Sequence, residues 1–69
     1  MSSASDAMEL LSEGTTDISK ARDFYESYVT LMKQAGYKPG SFDSIFSFDR
    51  NTQTLKLSTD AYNDYIKVL

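Results

Sequence analysis

The chain contains no cysteine, no histidine and no tryptophan, and it has one proline and three glycines in 69 residues. Without cysteine it cannot form a disulfide, a thiolate nucleophile or a Cys-based zinc site. Without histidine it lacks the side chain that most often shuttles protons at neutral pH and binds transition metals. Serine is frequent, but no neighbouring base is placed to activate it. We therefore expect no enzymatic activity and no cofactor.

The sequence also lacks targeting features. The N-terminal stretch has neither the basic start nor the apolar run of a signal peptide, and no segment approaches the length of a transmembrane helix. We expect residues 1–69 to form one cytoplasmic domain with no membrane partner and with residues 1–5 frayed. A domain of this size buries only about 60% of the surface that its unfolded chain exposes.

Acidic residues predominate, with ten carboxylates against seven bases and a net charge of −3. Residues 1–19 hold four acids and no base: Asp6, Glu9, Glu13 and Asp17. Nucleic-acid binding normally needs a basic face, so we do not expect a nucleic-acid partner. The spacing of the first three acids places them on one helix face. This face is either an acidic ridge that meets a basic surface or an ordinary solvated face.

Hydrophobic spacing predicts two helices in the N-terminal half. The first covers about 4–13, ends at Gly14 and is stable only if it docks. The second covers about 17–35, with Thr16 or Asp17 as the N-cap and Gly36 after its end. Tyr37 is placed to contact Met32 there. The predicted apolar stripe of the second helix consists of Ile18, Ala21, Tyr25, Tyr28, Met32 and Ala35, widened by Phe24 and Leu31.

After the turn at 37–41 the apolar period changes from about 3.6 to 2. This change predicts a β-hairpin with strands at about 44–49 and 53–58 and with Asn51 as a left-handed residue in its turn. The face that carries Phe46, Phe48, Leu55 and Leu57 must be covered by helices, because a two-stranded sheet is not stable alone. Thr59 is expected to cap a last helix over about 60–69.

The predicted fold class is therefore α+β, in the order α-α-β-β-α. A long central helix and the C-terminal helix are expected to pack on one face of a two-stranded antiparallel hairpin.

Two acidic patterns are too weak to predict a metal site or catalysis. Asp49, Asn51, Gln53 and Asp60 match four positions of a calcium loop, but Thr54 replaces the required glycine and Asp60 is shorter than the bidentate glutamate. We expect no metal. For a catalytic carboxylate pair, Asp43 or Asp49 could approach Asp60 or Asp64, but nothing in the sequence fixes that geometry.

Tyrosine is abundant, with five tyrosines beside four phenylalanines. The phenylalanines and the aliphatic residues Ile18, Leu31, Leu55, Leu57 and Ile66 could fill so small a core. We therefore expect some tyrosines to be partly exposed, either at an interface or at the rim of the core. The five positions are Tyr25, Tyr28, Tyr37, Tyr62 and Tyr65.

These features predict a small acidic protein-binding module, acting as an inhibitor, adaptor or regulatory subunit of a larger protein. Competition with phosphate at a basic surface of that protein is one hypothesis for how it acts. The predicted contact residues are Asp6, Glu9, Glu13, Asp17 and the five tyrosines. The alternative is a structural or assembly component, such as a virion or secretion-apparatus subunit, working as a homo-oligomer.

Overall fold

The computed structural model describes residues 3–69, so the expected fraying of Met1 and Ser2 lies outside the described residues. The elements are α1 (Ser3–Ser12), α2 (Ile18–Gln34), α3 (Phe42–Ile45), β1 (Phe46–Asp49), β2 (Thr54–Leu57) and α4 (Thr59–Val68). The predicted α+β class, element order and antiparallel hairpin are confirmed. The first helix, predicted over about 4–13, begins at Ser3, and a one-turn helix that was not predicted, α3, precedes the hairpin.

The ends of α2 follow from the capping residues in the sequence. The Asp17 carboxylate accepts a hydrogen bond from the Ser19 N–H at 2.9 Å. At the other end, Gly36 has φ 83° and its N–H donates to the Lys33 carbonyl, while the Tyr37 N–H donates to the Met32 carbonyl at 2.9 Å. These two bonds form a Schellman motif, which satisfies carbonyls that a helix end leaves without partners.

The buried stripe of α2 is rotated from its predicted position. It consists of Ala21, Phe24, Tyr28 and Met32. Ile18 is 58% exposed, Ala35 is exposed and Tyr25 is only half-buried. Phe24 is central because its ring packs against Tyr65 of α4, with centroids 5.0 Å apart, and edge-on against Phe46 of β1 at 6.2 Å.

The hairpin is shorter than the predicted strands 44–49 and 53–58. The Ser41 hydroxyl accepts from the Ser44 N–H and starts α3, so residues 44 and 45 are helical. In the turn, Gln53 has the left-handed conformation (φ 56°) that was predicted for Asn51. The Asn51 N–H instead donates to the Asp49 carboxylate at 2.9 Å, which holds Asn51 in a local turn.

Helices cover the inner face of the hairpin at one end only. Phe46 and Leu57, which pair across the strands, are 5% and 2% exposed. At the next pair on that face, Leu55 is half-buried and Phe48 is 59% exposed. The covering layer includes α1, which lies against β2, and α4, which packs on α1 and α2.

The last helix also differs in detail from its prediction. Ser58, rather than Thr59, is the N-cap of α4, and its hydroxyl accepts from the Ala61 N–H at 3.2 Å. Tyr65 and Ala61 are buried, whereas Ile66, expected in the core, is 40% exposed. Within residues 3–69, no helix has both the length and the apolar character needed to span a bilayer.

Gly14 fixes how α1 meets the hairpin. Its φ of 74° turns the chain sharply after α1, and a methyl group there would lie 2.7 Å from Lys56 Cγ and 2.8 Å from the Leu55 carbonyl oxygen. The next residue, Thr15, exchanges two backbone hydrogen bonds with Leu55, of 2.9 and 2.8 Å. The α1–α2 connection is therefore bonded to the outer edge of β2.

Replacing Gly14 with alanine should destabilise the fold much more than replacing Gly36. Gly36 has positive φ but open space around it, so Gly36→Ala should cost about 1–2 kcal/mol, the penalty for a left-handed alanine. Gly14→Ala adds a clash with β2 backbone and should cost roughly 2–4 kcal/mol. Urea unfolding followed by circular dichroism measures both variants, and equal losses would show that the approach to β2 is unimportant.

Candidate functional site

A cleft of about 510 Å³ opens between α1, α2 and α4. Its floor is apolar and consists of the buried side chains Leu10, Phe24 and Tyr65. Its rim carries three exposed carboxylates, Asp6 on α1 and Asp17 and Asp23 at the start of α2. Lys20, Ser19 and Ser27 complete the lining.

Helical spacing explains this arrangement. Asp6 and Leu10 are four residues apart on α1, so one face of that helix presents an acid at the rim and an aliphatic side chain at the floor. On α2, residues 20, 23, 24 and 27 recur at i, i+3, i+4 and i+7 and therefore share one face. The cleft forms where these two faces meet.

Lys20 is the one cation among the residues that line the cleft. Its ammonium lies 2.8 Å from a Glu9 carboxylate oxygen, and both side chains are partly exposed. The hydrogen bond that the Lys20 ammonium donates to Glu9 is the main cause that raises the pKa of Lys20. Desolvation opposes this effect, and the charges of Glu9, Asp6 and Asp17 add to it. Three carboxylates, those of Glu9, Asp6 and Asp17, therefore act on one ammonium, and the rim remains negative.

The predicted acidic residues are partly brought together. Asp6, Glu9 and Asp17 lie around Lys20, because the turn at Gly14 folds α2 back beside α1. Glu13 is exposed at the end of α1 and does not line the cleft. Sequence reasoning missed Asp23 and Lys20, which the spacing of the cleft-lining face of α2 could have indicated.

The five tyrosines do not form one surface. Tyr28 and Tyr65 are 3% and 2% exposed, so the expectation that they contact a partner is corrected: these rings are core, because they pack around Phe24. Tyr62 is half-buried on α4. Tyr37, beyond the end of α2, is 55% exposed and lines neither the core nor the cleft.

Tyr25 has a structural contact of its own. Its hydroxyl donates to the Gly40 carbonyl at 3.0 Å, and its ring packs edge-on against Phe42 at 5.6 Å. It also stacks on Tyr28, with centroids 6.4 Å apart. Tyr25 thus fastens the loop before α3 to α2.

The acids near the hairpin serve local structure. Asp49 accepts a hydrogen bond from the Asn51 N–H and lies 3.3 Å from the Lys56 ammonium, and these two contacts lower the pKa of Asp49. In the part of the chain that the structure describes, no three acidic side chains are grouped so that they could hold a metal ion. Asp49 is thus explained as a turn residue.

Comparison with known protein families, curated proteins and solved structures found no match to this chain. Its function is therefore inferred from its own geometry.

Burial of Tyr28 should make the fold sensitive to alkaline pH. Desolvation raises the pKa of the Tyr28 phenol, the nearby Gly40 N–H opposes this effect, and the charge of Asp64 adds to it. The folded state therefore favours the protonated Tyr28 phenol over the ionised one. The stability that depends on the protonated phenol is fully present below the pKa of the unfolded phenol and is lost as pH rises through the folded pKa.

Urea midpoints measured between about pH 8 and about pH 11.5 should therefore fall less steeply for Tyr28→Phe than for the native chain. Tyr37→Phe, which changes an exposed phenol, is the matched control and should follow the native chain. Parallel curves for Tyr28→Phe and the native chain would contradict this assignment.

Proposed function

We propose that this chain is a small acidic protein-binding module and that the cleft between α1 and α2 receives a basic segment of a larger protein. The observation that carries the proposal is the combination of an apolar floor with a negatively charged rim. Acidic surface alone would be uninformative, since charged helix faces usually meet only solvent. A cleft with an acidic rim and an apolar floor, by contrast, is complementary to one kind of side chain.

That complement is the side chain of lysine or arginine. Its aliphatic stem can lie in the cleft over Phe24, the most accessible of the floor side chains, while its charged head reaches a carboxylate at the rim. Asp6 and Asp23 line the cleft from different helices, α1 and α2. Arginine gains additionally from carboxylates because its planar guanidinium can donate two parallel hydrogen bonds.

Lys20 supports the same chemistry from within the chain. Its stem lines the cleft and its ammonium bonds to Glu9, so it has the contacts that an incoming lysine would need. A basic partner would meet the rim carboxylates that Lys20 leaves without a direct ion pair. Such binding would let the module act as an inhibitor, adaptor or regulatory subunit by covering a basic surface of its target.

A synthetic peptide of alternating lysine and leucine provides the test. Titrated into the ¹⁵N-labelled protein, it should shift the amide signals of Asp6, Asp23 and Ser27. Removing two rim charges with Asp6→Asn and Asp23→Asn should weaken binding several-fold, because an exposed ion pair contributes about 0.2–1 kcal/mol. Raising the salt concentration should weaken binding of the native chain, since salt screens exposed charges.

The matched control removes two exposed acids outside the cleft, with Glu26→Gln and Asp43→Asn. It makes the same change in net charge and should leave the affinity within about twofold of the native value, since long-range charge effects are largely screened. Equal weakening by both pairs would reject the cleft as the site. Binding that is indifferent to salt would reject the electrostatic mode.

A further inference from the structure

The two outer edges of the hairpin differ in their backbone hydrogen bonding. Leu55 exchanges both of its backbone hydrogen bonds with Thr15, so its N–H and C=O point away from β1. In an antiparallel pair, residues alternate between bonding the partner strand and pointing outward. Phe48 is opposite Leu55 and therefore points its own N–H and C=O outward, away from β2.

Three of the four outward backbone groups of Phe46 and Phe48 have no partner within residues 3–69. No hydrogen bond joins the Phe48 N–H or C=O, or the Phe46 C=O, to another described residue. The Phe46 N–H is satisfied by the Phe42 carbonyl. The outer edge of β2 is thus bonded to Thr15 at Leu55, whereas the outer edge of β1 presents one donor and two acceptors to an added strand.

The Phe48 ring stands beside this open edge. It is 59% exposed, on the face that carries the buried Phe46 and Leu57, and next to half-buried Leu55. A strand added to β1 would place a side chain directly beside this ring, within reach of a cross-strand contact. An extended strand with an apolar residue opposite Phe48 would therefore both pair the free backbone groups and cover the exposed ring.

We propose that the occupant is a second copy of this chain, paired antiparallel through β1 with Phe48 opposite Phe48. Each Phe48 has one outward donor and one outward acceptor, so a two-fold axis at this residue satisfies both through two identical hydrogen bonds. The two rings then cover each other. The β1 strand of a second copy thus supplies both the hydrogen-bonding groups and the apolar side chain that this edge lacks.

The charges along the edge suit this pairing. Asp49 is already compensated by Lys56 at 3.3 Å, and in this register it faces the neutral Ser47 of the other copy. Arg50, which has no ion pair among the described residues, comes opposite Phe46, next to the α3 turn that carries Asp43. The pairing therefore sets a basic residue near an acidic one at each end.

The contact is short, and its size determines how it behaves. A pair of four-residue strands buries less than the roughly 1,000 Å² that is the lower bound for a stable interface, so the dimer should form only at high concentration. In the dimer, the two hairpins make one continuous sheet, and each assembly carries two acidic clefts. Such a dimer would bind a partner with repeated basic segments more tightly than the single chain does.

Nuclear magnetic resonance and sedimentation velocity over a wide concentration series provide the test. As the concentration rises, the Phe48 and Arg50 amide signals should shift, the Phe48 amide should exchange more slowly with solvent, and the sedimentation coefficient should increase. A chemically synthesised chain with N-methylated Phe48 lacks the outward donor but keeps the ring and the β1–β2 bonds. Phe48→Lys removes the ring. Both changes should abolish the concentration dependence.

Met8→Lys is the matched control, because Met8 is 57% exposed and lies on α1 rather than on the hairpin. It should self-associate like the native chain.

A strict monomer at millimolar concentration, or a dimer unaffected by both changes at Phe48, would overturn the proposal. Shifts at Phe48 that appear only when a foreign peptide is added would assign the edge to another protein and would overturn it as well. Because the cleft variants leave β1 intact, failure here leaves the basic-peptide result standing.

Discussion

The contact between Gly14 and β2 determines most of this architecture. Only a residue without a side chain can turn the backbone here while lying against Leu55 and Lys56, and the turn brings Thr15 into hydrogen-bonding register with the strand. The same turn sets the direction in which α2 leaves, and so places the first turn of α2 beside α1. The cleft, its carboxylate rim and the ion pair between Lys20 and Glu9 all depend on that placement.

The features that the sequence predicted correctly are those with a local cause. Asp17 and Gly36 delimit α2 through bonds to residues two to four positions away, and the change of period from 3.6 to 2 marks the hairpin. The prediction failed for side chains whose burial depends on contacts with a different helix or strand. Phe24 and Tyr25 are neighbours of similar character, and only the positions of Tyr65 and Phe46 decide which one is buried. Phe48 fits the period of the buried face, yet it lies beyond the reach of the covering helices.

The acidic character of the candidate site could be predicted from the sequence, but the exact set of residues that form it could not. The acidic excess of the first 19 residues is visible in the sequence, and three of those four acids gather around Lys20. Helical spacing places Asp23 on the same face of α2 as Lys20, but the other elements decide that this face lines the cleft. The tyrosines show the opposite case, since their abundance suggested a surface and the fold uses Tyr28 and Tyr65 as core. A phenol is compatible with either role, because its ring is apolar and its hydroxyl needs only one partner.

The pairing of Thr15 with Leu55 has a consequence for how the chain folds. These residues lie far apart in sequence, whereas α2 and the hairpin are each held together by neighbours. Closing so long a loop is entropically costly, and contacts of large sequence separation slow folding. Closing the loop between Thr15 and Leu55 should therefore be among the slower steps of folding. Such a chain acquires its final edge bond late, after ribosomal synthesis has delivered the strand that receives it.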